Sequence, residues 1–236
     1  NGPEAALAFL ACSLYCTYAP LNPALIASEV EFEFEDLPAK AVIVVRGLEH
    51  TQTVVDVAQR MNVPVIEMVA QKDHVGAFIL SWWPGTENAC EPKQQERGTR
   101  EDVCLVLHTS GTTAKPKIVP LNHQNLAVGC TCIASTLNLT PEKINLNVMP
   151  LYHIHAISIN LLASLVSGAS CIASPGFDAQ RFVTEWIPGS GRKSIFGFGS
   201  TGSSGVQPTW YSSVPTIHQM ILAYAERIGA TKAGGA

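Results

Sequence analysis

Leu107-His108-Thr109-Ser110-Gly111-Thr112-Thr113-Ala114-Lys115-Pro116-Lys117 is the stretch on which the reading of this chain turns. Four hydroxyl side chains and a glycine fall within five residues, and two lysines then flank a proline. Such a loop offers hydroxyl donors, unobstructed backbone N–H groups and positive charge in one place, which is what a polyphosphate needs. Residues 103–107 before it are all apolar and include two valines. The loop is therefore expected to leave the end of a buried strand.

Outward from that loop, the composition is that of a packed globular protein. Of 236 residues, 47% are apolar and only 14% charged, which excludes a disordered chain. The formal charge is −4 and no basic stripe is present, so nucleic acid is not the expected partner. Seven cysteines, odd in number and set among apolar neighbours, suit reduced thiols in an intracellular, reducing compartment. Residues 144–177 carry no Asp, Glu, Lys or Arg. They do contain three asparagines, two histidines, two prolines and two glycines, so a buried strand–helix–strand unit is expected there and no membrane span.

The hydrophobic pattern alternates between strand and helix. Helices are expected over 5–14, 51–61, 161–166 and 217–228, with strands over 41–45, 63–69, 146–151 and 169–173. Residues 16–19 read as strand-like and 118–120 as a brief extended piece. Ser28 has Glu31 three residues on, a capping-box spacing. Asn122 is placed to cap a helix with Leu126, Cys130, Ile133 and Leu137 on one face. Residues 81–100, opening on Ser-Trp-Trp-Pro-Gly, read as a surface connection, and 187–209 as a flexible Gly/Ser-rich insertion. The tail 230–236 reads as disordered. This repeated alternation points to an α/β fold with mostly parallel sheets flanked by helices.

The loop is not a Walker A sequence, because Pro116 stands where the second glycine would be. Its order Thr-Ser-Gly-Thr-Thr-x-Lys-Pro-Lys instead resembles the signature loop of the acyl-adenylate-forming (AMP-binding) enzymes, which include acyl-CoA synthetases and peptide-synthetase adenylation domains. Two positions differ from the usual family pattern, Ala114 and Ile118 standing where glycine is customary. A branched residue cannot follow a glycine-only path, so the backbone is expected to deviate at Ile118. Met149-Pro150-Leu151-Tyr152-His153-Ile154-His155 is similar to the family segment that enters the acyl pocket. On an extended strand His153 and His155 would face the same side, but no third metal ligand lies nearby, and they read as pocket-lining residues without a metal. Trp210-Tyr211-Ser212-Ser213-Val214-Pro215-Thr216-Ile217-His218-Gln219 resembles the peroxisomal-type branch that includes oxalate–CoA ligase.

The resemblance implies that residues 1–236 are part of the large N-terminal domain of an adenylate-forming enzyme. Its Gly/Ser insertion lies at about 187–209, and the C-terminal domain is absent. Thr109, Ser110, Gly111, Thr112, Thr113, Ala114, Lys115, Pro116 and Lys117 would hold the phosphates of ATP. His153, His155, Val214 and Pro215 would face the acyl group. The implied reaction converts a small carboxylic acid to an acyl-adenylate and then an acyl-CoA thioester, with ATP, Mg2+ and CoA, in the cytoplasm or peroxisome. The family's magnesium-binding segment and adenylation lysine are not found, so the chain is expected to be inactive alone. A nucleotide-binding remnant without catalysis and an amino-acid-activating domain are the alternatives.

Overall fold

The computed structural model describes residues 1–86, 96–109, 116–186 and 207–229. The Gly/Ser stretch, apart from its last three residues, and the tail lie outside the described residues. The chain divides into two compact units, one formed by residues 7–120 and the other by residues 1–6 with 121–236. The first helix, α1 (Pro3–Ser13), has Pro3 in its first turn, where the missing N–H costs nothing.

Residues 7–120 build their core around a three-stranded sheet, β1 (Val42–Val44), β2 (Val65–Ala70) and β3 (Phe78–Trp82). β1 and β2 run parallel with Val42 opposite Val65, and α3 (Thr51–Arg60) makes the crossover between them. Val55, Val57 and Ala58 on α3 are fully buried against Val30 and Phe34 of α2 (Ala27–Asp36) and against the strand valines. At roughly 25 cal/mol per Å2 of apolar surface removed from water, each such side chain contributes about 1–3 kcal/mol. The cap of α2 differs from the expected one. Ser28 sits inside the first turn, and the Glu29 carboxylate reaches back to accept from the Ile26 N–H at 3.0 Å. Ile26 has no polar side chain to return the bond, so the box is one-sided.

The strand β3 corrects the reading of 81–100 as a surface connection from its first residue. A tight turn closed by Gln71 N–H to Ala77 O, 2.8 Å, with Gly76 at φ 82°, folds the chain back. β3 then pairs antiparallel with β2, Ile66 opposite Trp82, and Pro84 ends it. Trp82 ends this strand, where aromatic residues are favoured, and Trp83 beyond it packs against the core. Residues 16–19 form no regular strand; Tyr18 makes one isolated parallel bridge to Leu105. Leu105 lies on β4 (Val103–His108), whose centre is buried as expected and which pairs with β5 (Ile118–Asn122).

In the other unit, α4 (His123–Thr136) starts at the expected cap. Asn122 Oδ1 accepts from Asn125 N–H at 2.7 Å, and Asn125 Oδ1 accepts from Asn122 N–H at 3.1 Å. Leu126, Cys130 and Ala134 form its buried face, while Leu137 is exposed as the helix ends. β6 (Ile144–Asn147) and β7 (Ser170–Ala173) run parallel, Ile144 opposite Ser170. Their crossover is a π-helical stretch, His155–Leu162, continued by α5 (Ala163–Val166). The expected strand 146–151 therefore stops at Asn147. A turn at Pro150 follows, closed by His153 N–H to Pro150 O at 3.0 Å. After α6 (Ala179–Arg181) and a short π-helical turn, Phe182–Trp186, α7 (Pro215–Arg227) packs Ile221 and Ala225 on Leu146, Phe182 and Val183.

Replacing Asn122 with alanine removes the side-chain acceptor of the Asn125 N–H and is expected to cost about 1 kcal/mol, whereas glycine there costs only a few tenths. Urea unfolding followed by α-helical circular dichroism measures this, and equal midpoints for all three proteins would contradict it.

Candidate functional site

The phosphate-type loop is anchored at its base. Thr109 N–H donates to Lys117 O at 2.9 Å, and Lys117 N–H donates to Thr109 Oγ1 at 3.1 Å. The Thr109 hydroxyl accepts in this clasp and keeps its own proton to donate. Pro116 and Lys117 are exposed. Ser110, Gly111, Thr112, Thr113, Ala114 and Lys115 lie outside the described residues. Ile118 opens β5 and is not among the residues with positive φ. The expected deviation thus takes the form of strand: a branched side chain suits the extended backbone that begins there.

One residue the sequence reading passed over stands immediately before the clasp. His108 ends β4 with its side chain only 10% exposed, and both ring nitrogens meet carboxylates of α2. Nδ1 lies 2.7 Å from Glu33 Oε2 and Nε2 lies 2.8 Å from Asp36 Oδ2. Burial pushes the Glu33 carboxyl above its usual range, and the His108 ring partly offsets that. Glu33 and Asp36, spaced i,i+3, share one helix face, which was the available signal; the partner across more than 70 residues was not.

The second group of expected residues lies in the other unit. His153 and His155 do not share a strand face, because His153 sits in the Pro150 turn and His155 opens the π-helix. His153 is exposed, its ring tilted against Tyr152 with centroids 4.5 Å apart. His155 is half-buried, with Nε2 2.8 Å from Ser212 Oγ. This contact joins the Met149–His155 stretch to the Trp210–Gln219 stretch.

Buried asparagines hold the same junction. Asn160 Nδ2 donates to Asn147 Oδ1 at 2.8 Å and to Ser212 O at 3.2 Å, while Asn147 exchanges two 3.1 Å bonds with the Met149 backbone. Neither Asn147 nor Asn160 was singled out from sequence, where an asparagine in an apolar run reads as a polar interruption. Val214 is the residue before α7 and Pro215 its first; neither side chain contacts the histidines through a hydrogen bond. His218 lies between two hydroxyls instead, Nδ1 at 3.0 Å from Tyr211 OH and Nε2 at 3.2 Å from Ser213 Oγ.

A cavity of about 220 Å3 opens in this unit, lined by Leu146, Phe182, Trp186, Trp210, Tyr211 and Ile221 among others. His153, His155, Val214 and Pro215 do not line it. Among the described residues, no three His, Cys, Asp or Glu side chains gather into a metal-binding group. Likewise, no described helix is long and apolar enough to cross a membrane.

Burial lowers the proton affinity of His155 below the ordinary histidine value of 6.5. The unfolded chain then binds more protons than the folded one, so this group's contribution is present above that value and lost as pH falls through it. The acid-induced drop in melting temperature between about pH 7.5 and 5.5 should therefore be smaller in His155→Gln than in the native chain. A larger drop in the variant would reverse the sign and refute the assignment.

The geometry finds its counterpart in known proteins. A family model described as AMP-binding enzyme matches residues 1–234. The chain is 35% identical over 205 residues to Probable CoA ligase CCL9 of Humulus lupulus, covering 86% of this chain and 35% of that protein. It is 31% identical over 223 residues to Oxalate--CoA ligase of Arabidopsis thaliana, covering 94% of this chain and 40% of that protein. The ATP-bound structure of MatB from Rhodopseudomonas palustris superposes with a TM-score of 0.59 at 25% identity, over 76% of this chain and 34% of that one. The chain thus spans well under half the length of the relatives it matches. On the match of its whole described extent, the chain belongs to the AMP-binding enzyme family.

Proposed function

We propose that the chain is the ATP-phosphate-gripping part of an acid–thiol ligase. The whole protein would convert a carboxylic acid to an acyl-adenylate and then to an acyl-CoA thioester. The observation that carries this reading is the clasped loop base at the end of a buried strand, in a chain matched along residues 1–234 by the AMP-binding family. The residues present fit a nucleotide triphosphate. Lys117 is exposed at the base of the loop, and the Thr109 O–H remains a donor while its oxygen accepts from Lys117 N–H. Ser110, Gly111, Thr112, Thr113, Ala114, Lys115 and Pro116 complete the proposed grip. Magnesium, when bound, would neutralise phosphate charge during attack by the carboxylate.

The proposed acyl-facing residues are His153, His155, Val214 and Pro215, with His155 kept neutral by burial and hydrogen-bonded to Ser212. A neutral imidazole suits a hydrogen bond to a carboxylate or acyl oxygen. Oxalate is the leading candidate acid, on the likeness to the Arabidopsis ligase. Residues 1–236 would be part of the large N-terminal domain, with an insertion at about 187–209. A reducing intracellular compartment, cytoplasm or peroxisome, is proposed on the odd number of cysteines set among apolar neighbours.

Calorimetric titration with MgATP should give saturable binding that Lys117→Ala weakens about tenfold or more, the loss of one charge-assisted contact. Unchanged affinity would leave the loop an ordinary turn. Pyrophosphate release with a panel of short mono- and dicarboxylic acids, oxalate among them, tests the reaction on this chain and on one of the relatives' full length. Turnover by the longer protein supports the ligase; ATP binding by both without turnover would favour a nucleotide-binding protein without catalysis.

A further inference from the structure

We infer that Asn160 is a positioning residue of the proposed acyl site: π-helical winding brings it to the same residue as His155, and its amide holds Ser212 so that the Ser212 hydroxyl stays on the His155 ring. The inference rests on the acyl-facing role proposed for His155, and it deepens that reading by naming what fixes the ring.

The winding of the crossover decides which side chains share a face. Residues His155–Leu162 are π-helical, and the N–H of Ala163 that follows donates to Ser158 O, five residues back. Hydrogen bonds of this i→i+5 kind set residue i+5 about one turn beyond residue i, on the same side of the helix. His155 and Asn160 are such a pair. In an α-helix, five residues would leave them about 140° apart around the axis. Here both reach Ser212: His155 Nε2 lies 2.8 Å from its Oγ, and Asn160 Nδ2 donates to its backbone O at 3.2 Å. One residue is thus gripped by side chain and by backbone from a single helix.

Asn160 is itself held firmly enough to act as a reference point. It is fully buried, and Nδ2 also donates to Asn147 Oδ1 at 2.8 Å. Asn147 ends β6 and exchanges two bonds with the Met149 backbone. Ser164 Oγ donates to Asn160 O at 2.6 Å, so the backbone is tied as well as the side chain. One amide group therefore connects the strand end leading into Met149–His155, the π-helix, and the segment leading into α7. All of these residues lie in the unit formed by 1–6 and 121–236.

Donors explain why an asparagine serves at this position. A primary amide has two N–H donors, and both are used, one on Asn147 and one on Ser212. Oδ1 has no hydrogen-bond partner among the described residues, so the two donors are what the amide supplies. A carboxyl has at most one donor and an apolar side chain none. Without the second donor, the Ser212 carbonyl loses its tie to the π-helix. Ser212 Oγ is the only hydrogen-bond partner of the His155 ring among the described residues, so the orientation of the ring follows the position of Ser212. With Nε2 engaged there, Nδ1 is the ring nitrogen left to meet an acyl oxygen.

On this chain, long-range 1H–15N correlation reads the His155 ring. Ser212→Ala should move the Nε2 resonance by removing its partner. Asn160→Ala should move it in the same direction, although it removes neither group of that bond. Should the alanine variant not fold, Asn160→Asp keeps the shape but cannot serve both acceptors, and the same displacement is expected. An Nε2 resonance at its native position in either folded Asn160 variant would overturn the positioning role. In the native chain, scalar coupling across the hydrogen bond should link Asn160 Nδ2 to the Ser212 carbonyl carbon, and its absence would overturn the role without any variant.

In the protein of the relatives' full length, Asn160→Ala and Ser212→Ala should each raise KM for oxalate, or for the panel acid turned over best, about fivefold or more, with KM for MgATP within about twofold of native. Because both substitutions act through one contact, the double variant should be about as impaired as the worse single one. Effects that multiply would make Asn160 a residue of the fold alone and refute the inference. A displaced His155 resonance with no acid turned over by the longer protein would leave Asn160 as the residue that positions Ser212 and sink the acyl-site reading instead.

Discussion

Parallel strand pairing is the constraint from which the rest of this structure follows. Two neighbouring parallel strands cannot be joined by a tight turn, so the chain must cross over, and each crossover must bury its own apolar face. Between β1 and β2 the crossover is α3, which seats Val55, Val57 and Ala58 on the sheet. Between β6 and β7 it is the π-helix with α5, which buries Ala156, Ile157 and Leu161. The ends of the strands are left to carry chemistry. Asn147 ends β6 and His108 ends β4, and each begins a network that extends beyond its own strand. This is where open α/β sheets generally place ligands.

The two histidines near those strand ends meet different partners. His155 is partly buried with a hydroxyl as its hydrogen-bonding partner, so its neutral form is favoured. His108, its side chain only 10% exposed, sits between two carboxylates. Residues of one type thus stand in different surroundings, one against a hydroxyl and the other between two carboxylates.

The polar interior around the π-helix shows a related economy. Asn147, Asn160 and Ser164 are almost wholly inaccessible, and most of their groups are paired. Asn160 Oδ1 and Asn145 Nδ2 are buried with no hydrogen-bond partner among the described residues. Unpaired groups of this kind cost about 1–3 kcal/mol each, and π-helical segments are themselves uncommon outside functional regions.

Local chemistry was legible in the sequence wherever a few consecutive residues decide the outcome. Asn122 caps α4 as read, the apolar run before the loop is β4, and the hydroxyl-rich loop identifies the family, because each depends on short-range spacing. The sequence missed β3, since Trp-Trp-Pro-Gly carries a break signal and the compensating edge pairing lies in β2. It misplaced the two histidines on one strand face, because the turn at Pro150 and the π-helix depend on what the crossover packs against. Nothing local could pair His108 with Glu33 and Asp36, or His155 with Ser212. Those partners are 72 and 57 residues apart along the chain in the bonds to Asp36 and Ser212. The sequence by itself determined the family and the hydroxyl- and lysine-rich make-up of its loop. Only the tertiary structure decided that His108 meets Glu33 and Asp36 and that His155 meets Ser212, because those partners are far apart in the chain and the fold alone brings them together.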